Sequence, residues 1–540
     1  MAAVSKVFDW GIAPLVLVAL AFEPNFRHGV LNFNESGQHL VAMHELANGS
    51  ALFRDVFAQY GPLHYYVPTA LGRVFGESIA TLRGYFMAGE IAGLLAAWAL
   101  CRALIPRRGF AFAAAVVIVM EAHHPFWSTR WGGFRFAFVY LSLLGLWLGL
   151  VRPRSWWLVF AGASAGLAFL HTYDAGAAAG VGAIGFFVHS WLSRAEGRVP
   201  LREAGRYAVG VAAVLLPFVL HLLATGTFGD YLDQLPFLNP GRAFAQPIPI
   251  SALTLTVLAP AFVYLGTVGF IAHGLRREVF EREGGVAILL VVASGALLYL
   301  SAFRAIRGPQ FEMSLPLVIV ALFFLADHAY GVFERGLDIA GDRIGGWLAF
   351  GFVFVVMLAL TFGEIRTYQG GMAKFLAHQR QKAGQVAKHI GANPLEQYRE
   401  LALPGGGGAR LPERQVAEIE EITAFLAEQT RPFETMLAYP DLGAYNFFVD
   451  RPLASRFPIA VLAAADVAWS DELLDVVRNR RADIVLVGRQ LGTLARATGR
   501  REEFLPRFRT IVEENYLLVR RFEQLDVYRA VGTGRSQEPR

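Results

Sequence analysis

Eleven stretches of this chain are too apolar and too long to be surface loops. They fall at roughly 7–23, 82–101, 109–122, 134–151, 155–172, 175–193, 207–225, 250–274, 285–303, 313–330 and 346–363. A hydrocarbon core about 30 Å thick takes about 20 mostly apolar residues per helix, and the helix must satisfy its own backbone N–H and C=O groups. The pattern therefore dictates a polytopic α-helical membrane protein with about eleven transmembrane helices. Charge follows the same division: 45 of the first 363 residues are Asp, Glu, Lys or Arg, against 48 of the last 177. A transmembrane domain over 1–363 and a soluble domain over 364–540 are expected. A purely soluble enzyme does not fit a chain that is 55% hydrophobic, and the single cysteine, Cys101, excludes an intramolecular disulfide or a cysteine-built metal centre. The net charge of +5 does not signal nucleic acid, because the basic residues mostly sit in short connections between apolar runs.

Those connections set the orientation. With the N-terminus inside, fifteen of the 24 basic residues before position 364 are cytoplasmic: Lys6, Arg102, Arg107, Arg108, Arg152, Arg154, Arg194, Arg198, Arg202, Arg206, Arg276, Arg277, Arg282, Arg335 and Arg343. The segments 24–81, 123–133, 173–174, 226–249, 304–312 and everything after 363 then face outward. Arg366, Lys374, Arg380, Lys382 and Lys388 follow the last run and, taken alone, favour a cytoplasmic tail. Ala19-Leu20-Ala21 has the small-residue pattern of a signal-peptidase site, set against a retained anchor. After Gly405 to Gly408 the tail reads as a small α/β domain. Val416, Ile419, Ile422, Phe425 and Leu426 mark an amphipathic helix, Ser470 is placed to cap another, and Phe433 to Ala438, Ile484 to Val487 and Leu525 to Ala530 have strand patterning.

The outward segment from Phe33 to Gly84 is too polar to span and too punctuated to be one helix. Leu40, Met43, Leu46 and Ala47 predict a short amphipathic helix over 36–48, closed by Asn48-Gly49, and Pro62 starts a second to Phe75. Both are expected to lie along the bilayer surface and to frame a cleft with Glu35 and Asp55 at its rim. Sugar transfer needs a base for the acceptor hydroxyl and cations for a departing phosphate. The outward-facing set supplies both: Glu35, Asp55, Glu121 and Asp174 on one side, His64, His123, His124, Arg130, Arg135, Arg304 and Arg307 on the other. Against this stands the reading that such residues only solvate loop ends.

The order Asn34-Glu35, Asn48-Gly49, Phe53-Arg54-Asp55-Val56-Phe57, Tyr60-Gly61-Pro62-Leu63 and Phe75-Gly76 with Arg83 resembles the first periplasmic loop of GT-C glycosyltransferases. The likeness is to the bacterial relatives of protein O-mannosyltransferases and of the lipid A aminoarabinose transferase. It implies a GT-C-like membrane core in the bacterial inner membrane with its active site and C-terminal domain toward the periplasm. It implies a polyprenyl-phosphate-linked sugar as donor, a glycan, lipid or protein as extracytoplasmic acceptor, and inversion at the sugar. The family's paired acidic motif falls on Asn34-Glu35, which holds one carboxylate, so Glu35 is the expected base. Asp55 matches the second acidic position, Glu121 a third, with His123 and His124 beside it. His64 lies near a family His-Pro-Pro sequence, and Ser301 to Glu312, with Arg304 and Arg307, is similar to an arginine loop that holds lipid phosphate. A divalent metal is left open, with no ligand set assigned.

Other polar residues have structural readings. Glu90 stands between Gly89 and Gly93, a small-residue spacing for close helix contact. His171 and Asp174 sit at a helix end and are placed to cap it, Asp327 and His328 lie toward the cytoplasmic end, and His221 is expected to be a satisfied interior residue. The cytoplasmic arginines are read as topology signals alone. A transporter or flippase is the competing function, and it predicts internal repeats and polar groups at mid-membrane; no convincing repeat is visible.

Overall fold

The computed structural model describes residues 6–22, 26–122, 134–152, 156–193, 199–235, 255–276, 282–302, 309–334, 398–489 and 501–531. As far as residue 334 these are helical: α1 (Phe8–Ala21), α2 (Glu35–Ala47), α3 (Leu63–Phe75), α4 (Ile79–Leu104), α5 (Arg108–Ala122), α6 (Phe134–Val151), α7 (Trp156–His171), α8 (Tyr173–Leu192), α9 (Pro200–Ala224), α10 (Phe228–Gln234), α11 (Leu255–Arg276), α12 (Arg282–Ala302) and α13 (Pro309–Glu334). Ten of the apolar runs coincide with helices, and the run at 346–363 lies outside the described residues. Among the described residues six helices, α4, α6, α8, α9, α12 and α13, are long and apolar enough to cross a membrane, while α1, α5, α7 and the Leu258–Gly274 part of α11 are shorter apolar stretches.

The chain divides into two compact units. The first holds residues 1–24, 86–218 and 247–394. In it α6 packs on α7, α8 and α12, α12 on α8 and α13, and α13 on α5 and α11. Without a hydrophobic drive between helices in lipid, close backbone approach supplies the attraction. The facing surfaces are correspondingly small: Ala161, Ala165 and Ala168 on α7, and Ala175, Ala178, Ala179 and Ala183 on α8, are all buried. Gly162 and Gly210 show the limit, since a Cβ on the first would lie 2.0 Å from the Tyr207 carbonyl oxygen and one on the second 2.0 Å from that of Val159. Gly89 packs on the ring and backbone nitrogen of Phe134, a close contact in keeping with its small-residue spacing.

Several arginines read as topology signals do more than report topology. Arg102 and Arg108 both pair with Asp9, at 3.2 and 3.0 Å, and Arg107 pairs with the buried Asp327 at 3.3 Å. Charge patterning alone gave them no partners because those partners, Asp9 and Asp327, are far off in sequence. Trp98 Nε1 donates to the Asp9 carbonyl at 3.0 Å, within a π-helical turn over Phe8–Ile12.

The second unit holds residues 25–85, 219–246 and 395–540. Its tail runs β1 (Tyr398–Glu400), β2 (Arg410–Pro412), α14 (Glu413–Gln429), β3 (Met436–Tyr439), α15 (Ala444–Val449), α16 (Val467–Arg478), β4 (Ile484–Gly488), α17 (Arg501–Asn515), β5 (Tyr516–Arg521) and β6 (Leu525–Ala530). Strand order is β3-β4-β6-β5, with β3 and β4 parallel and the other pairs antiparallel. Of the predicted stripe α14 buries Val416, Ile419, Ile422 and Leu426 and leaves Phe425 half-buried. The cap of α16 is a correction: Asp466 accepts from the Ala468 N–H at 2.8 Å, and Ser470 lies one turn inside, its hydroxyl donating to the Ala463 carbonyl. The edge strand β5 lacked a sequence signal because all but its first residue are exposed, which removes the alternation that marks a strand.

The first long loop is built into this same unit. The Leu31 backbone exchanges two hydrogen bonds with the Gln415 side chain, at 2.9 and 2.8 Å, and Arg410 bonds to Arg27 and Gly29. The buried Glu45 accepts from the Leu453 N–H at 2.9 Å, and Phe57 N donates to the Arg456 carbonyl at 2.6 Å while its ring packs on Phe457 and Trp469. Arg83, at the start of α4, donates to the carbonyls of Arg27, Gly29 and Val30 at 2.8–3.1 Å and so closes the loop's entry.

Candidate active site

The predicted helix over 36–48 is α2. It starts one residue earlier because Asn32 caps it, its Oδ1 accepting from the N–H groups of Asn34 and Glu35 at 2.9 and 3.1 Å. Glu35 therefore occupies the first turn, where the helix dipole favours a negative charge. Asn48 ends the helix and Gly49 turns the chain at φ 98°, as the Asn-Gly pair predicts. Pro62 precedes α3, also as expected.

These two helices and the turn between them assemble a buried polar cluster. The Glu35 carboxylate accepts from the Tyr60 hydroxyl at 3.3 Å and from the Gln38 amide at 3.4 Å. The Tyr60 ring stands 4.8 Å from that of His64 and 5.8 Å from that of His39, and the two imidazoles are 4.7 Å apart. Tyr65 fixes the turn: its buried hydroxyl accepts from the backbone N–H groups of Gln59 and Tyr60, at 2.9 and 3.3 Å. Tyr85 closes on His64 at 6.4 Å between rings. Burial pushes His39 down to about 3, so its imidazole is neutral at physiological pH, and burial pushes the Tyr65 phenol up.

The structure thus brings Glu35 and His64 together through Tyr60. Asp55 serves its own turn: it accepts from the Ala51 N–H at 2.8 Å and pairs with Arg54 at 3.0 Å, and the Arg54 hydrogen bond holds its carboxyl below the usual carboxylate range. In the membrane unit Asp174 pairs with Arg135 at 2.7 Å and accepts from the Ala175 N–H at 2.9 Å, and His171 Nδ1 bonds to the Leu167 carbonyl, which fits the capping reading of this helix end. His221 is corrected: it is exposed rather than interior, and its Nε2 meets the Tyr66 hydroxyl at 3.2 Å. His123, His124, Arg130, Arg304 and Arg307 lie outside the described residues, as do the side chains of Glu121 and Glu312. Among the described residues no group of three or more His, Cys, Asp or Glu side chains is arranged to hold a metal ion.

Gln38, His39, Tyr60 and Tyr65 were not singled out from sequence. The first two follow Glu35 at i+3 and i+4, a spacing that puts them on its helix face. The tyrosines flank Gly61-Pro62, and their direction depends on a turn that only the folded loop defines.

No protein-family model and no curated protein matches the chain. Among solved structures it is similar to ArnT, the lipid A aminoarabinose transferase, of Cupriavidus metallidurans. The form bound to undecaprenyl phosphate aligns over 99% of both chains at TM-score 0.50 and 14% identity, and the apo form over 98% of both at the same values. The archaeal oligosaccharyltransferase AglB of Archaeoglobus fulgidus, in complex with an inhibitory peptide and a dolichol-phosphate, aligns over 98% of this chain and 74% of its own at TM-score 0.45 and 11% identity. The fold is similar to that of these ArnT structures, in agreement with the resemblance of the first loop.

Proposed function

We propose that the protein is a membrane glycosyltransferase of the GT-C type, which moves one sugar from a polyprenyl-phosphate donor to an extracytoplasmic glycan, lipid or protein. The observation that carries the reading is the buried Glu35, held by two neutral donors at the start of the loop helix, in a chain with the fold of a transferase solved with undecaprenyl phosphate. A carboxylate that accepts from neutral donors is placed to take a proton from an acceptor hydroxyl.

In the proposed reaction the acceptor hydroxyl gives its proton to Glu35 as its oxygen attacks the anomeric carbon. The bond to the phosphate oxygen breaks with its electron pair, and polyprenyl phosphate leaves from the opposite face, which inverts the centre. His64, packed on Tyr60, offers an imidazole to the sugar. Arg130, Arg304 and Arg307 are assigned the departing phosphate, with Glu121, His123, His124, Asp174 and Glu312 as further substrate contacts and Asp55 as the second acidic residue of the loop. The test is Glu35→Gln in membranes supplied with radiolabelled polyprenyl-phosphate sugars. The substitution keeps size and hydrogen bonding but removes the base, and transfer is expected to fall by about 10²–10⁴-fold. Unchanged transfer removes Glu35 from the mechanism.

A further inference from the structure

Of the groups around Glu35, two tyrosines form a linked pair. Tyr65 OH accepts from the N–H groups of Gln59 and Tyr60 and so holds the turn that leads into Pro62, and Tyr60 OH donates to Glu35 Oε2 at 3.3 Å. Both tyrosines and Glu35 are buried, so each hydroxyl works where water does not replace it. We infer that Tyr60 is a positioning residue that sets the proton affinity of Glu35, and that Tyr65 acts through it by fixing the turn that presents it.

Burial alone favours the protonated, neutral carboxyl, a form that cannot serve as a base. A phenol that donates to the ionised form opposes this, and it does so without bringing a positive charge that would make the carboxylate too weak a base. Gln38 adds a second neutral donor from the same helix. Among the described residues, titratable groups near Glu35 include His39 on α2, His64 and Tyr65 on α3, Tyr85 on α4 and Tyr445 on α15, the helix that meets α2 where Gly37 faces Ala444 and Phe33 faces Tyr445. His39 and Tyr65 are neutral across the working range, His39 because burial depresses it and Tyr65 because burial raises it. The Tyr60 hydroxyl, donating straight to the carboxylate, is a direct handle on when Glu35 ionises. Its consequence for turnover rests on the reading of Glu35 as the base, but the coupling itself does not.

The test is an infrared titration of the purified full-length protein, in which subtraction of Glu35→Gln spectra isolates the C=O stretch of protonated Glu35. In Tyr60→Phe the midpoint of that band is expected to rise by about 0.5–1 pH unit, the loss of one long hydrogen bond to a charged acceptor. Tyr65→Phe is expected to raise it by less. Site-specific 3,5-difluorotyrosine at position 60, a stronger donor of the same shape, is expected to lower it, so the test does not depend on Tyr60→Phe folding. The same midpoint in Tyr60→Phe and in the fluorinated protein as in the parent would overturn the inference. Sugar transfer by Glu35→Gln is measured separately: if that variant is active while the midpoints move, the coupling stands and the catalytic reading fails.

Discussion

At the scale of single residues the site is defined by which polar groups are buried and by what holds them. Asp55 and Glu35 illustrate the difference: both are loop carboxylates, but Asp55 is half-exposed and bound to the adjacent Arg54, whereas Glu35 is buried and accepts from the Tyr60 hydroxyl and the Gln38 amide. His39 adds a pH dependence with a definite sign. Its folded value of about 3 lies below the unfolded value of 6.5, so between these the unfolded chain binds a proton that the folded one refuses. Stability is thus complete above about pH 6.5 and declines as the pH falls toward 3, by roughly 2 kcal/mol at pH 5. Thermal unfolding of the purified protein at pH 7.5 and pH 5 measures it. His39→Leu is expected to lose a substantial part of the difference, and an undiminished difference in that variant would assign the acid sensitivity to other groups.

At the scale of elements, α2 is fastened to the tail by Glu45 as well as presenting Glu35 to the site. Glu45 accepts from Ser50 Oγ at 2.8 Å and from the Leu453 N–H at 2.9 Å, so Glu45→Ala leaves a donor of the tail without its acceptor. The expected cost is about 1–3 kcal/mol, read as a lower melting temperature and faster proteolysis between 26 and 62, with Glu45→Gln recovering much of it because its amide oxygen still accepts. The sequence made the existence of α2 and α3 legible because Asn48-Gly49 and Pro62 mark their ends through local backbone chemistry. It made the ten described apolar helices legible because a lipid environment enforces one simple rule. It did not reveal Glu45 as a fastener, Asn32 as a cap or β5 as a strand. The first depends on a partner 408 residues away, the second competes with its neighbour Asn34 for the same role, and the third has no buried alternation. Glu35 and His64 were legible as candidates because of their motif, while the tyrosines joining them were not, since aromatic residues beside a proline most often serve packing.

At the scale of the whole chain, the bonding of residues 26–78 to the tail bears on the side of the tail, which charge counting left open. Partners such as Leu31 and Gln415, or Glu45 and Leu453, exchange direct hydrogen bonds and so occupy one side of a bilayer. The basic run after residue 363 favours a cytoplasmic tail, but it cannot place the tail opposite a loop to which the tail is bonded. A chain that leaves this unit after residue 85, returns at 219, leaves again after 246 and returns at 395 must cross an even number of times on each excursion. The sequence-predicted spans number six on the first excursion and four on the second, in keeping with that parity. Cysteine labelling tests it directly. In a Cys101→Ala background, Val74→Cys in the first loop and Phe433→Cys in the tail replace exposed side chains, and Arg152→Cys samples a connection read as cytoplasmic. A membrane-impermeant maleimide added to spheroplasts is expected to label positions 74 and 433 alike and position 152 only after lysis. Labelling of 74 and 433 from opposite sides would break the parity, and with it the placement of Glu35 on the same face as the tail.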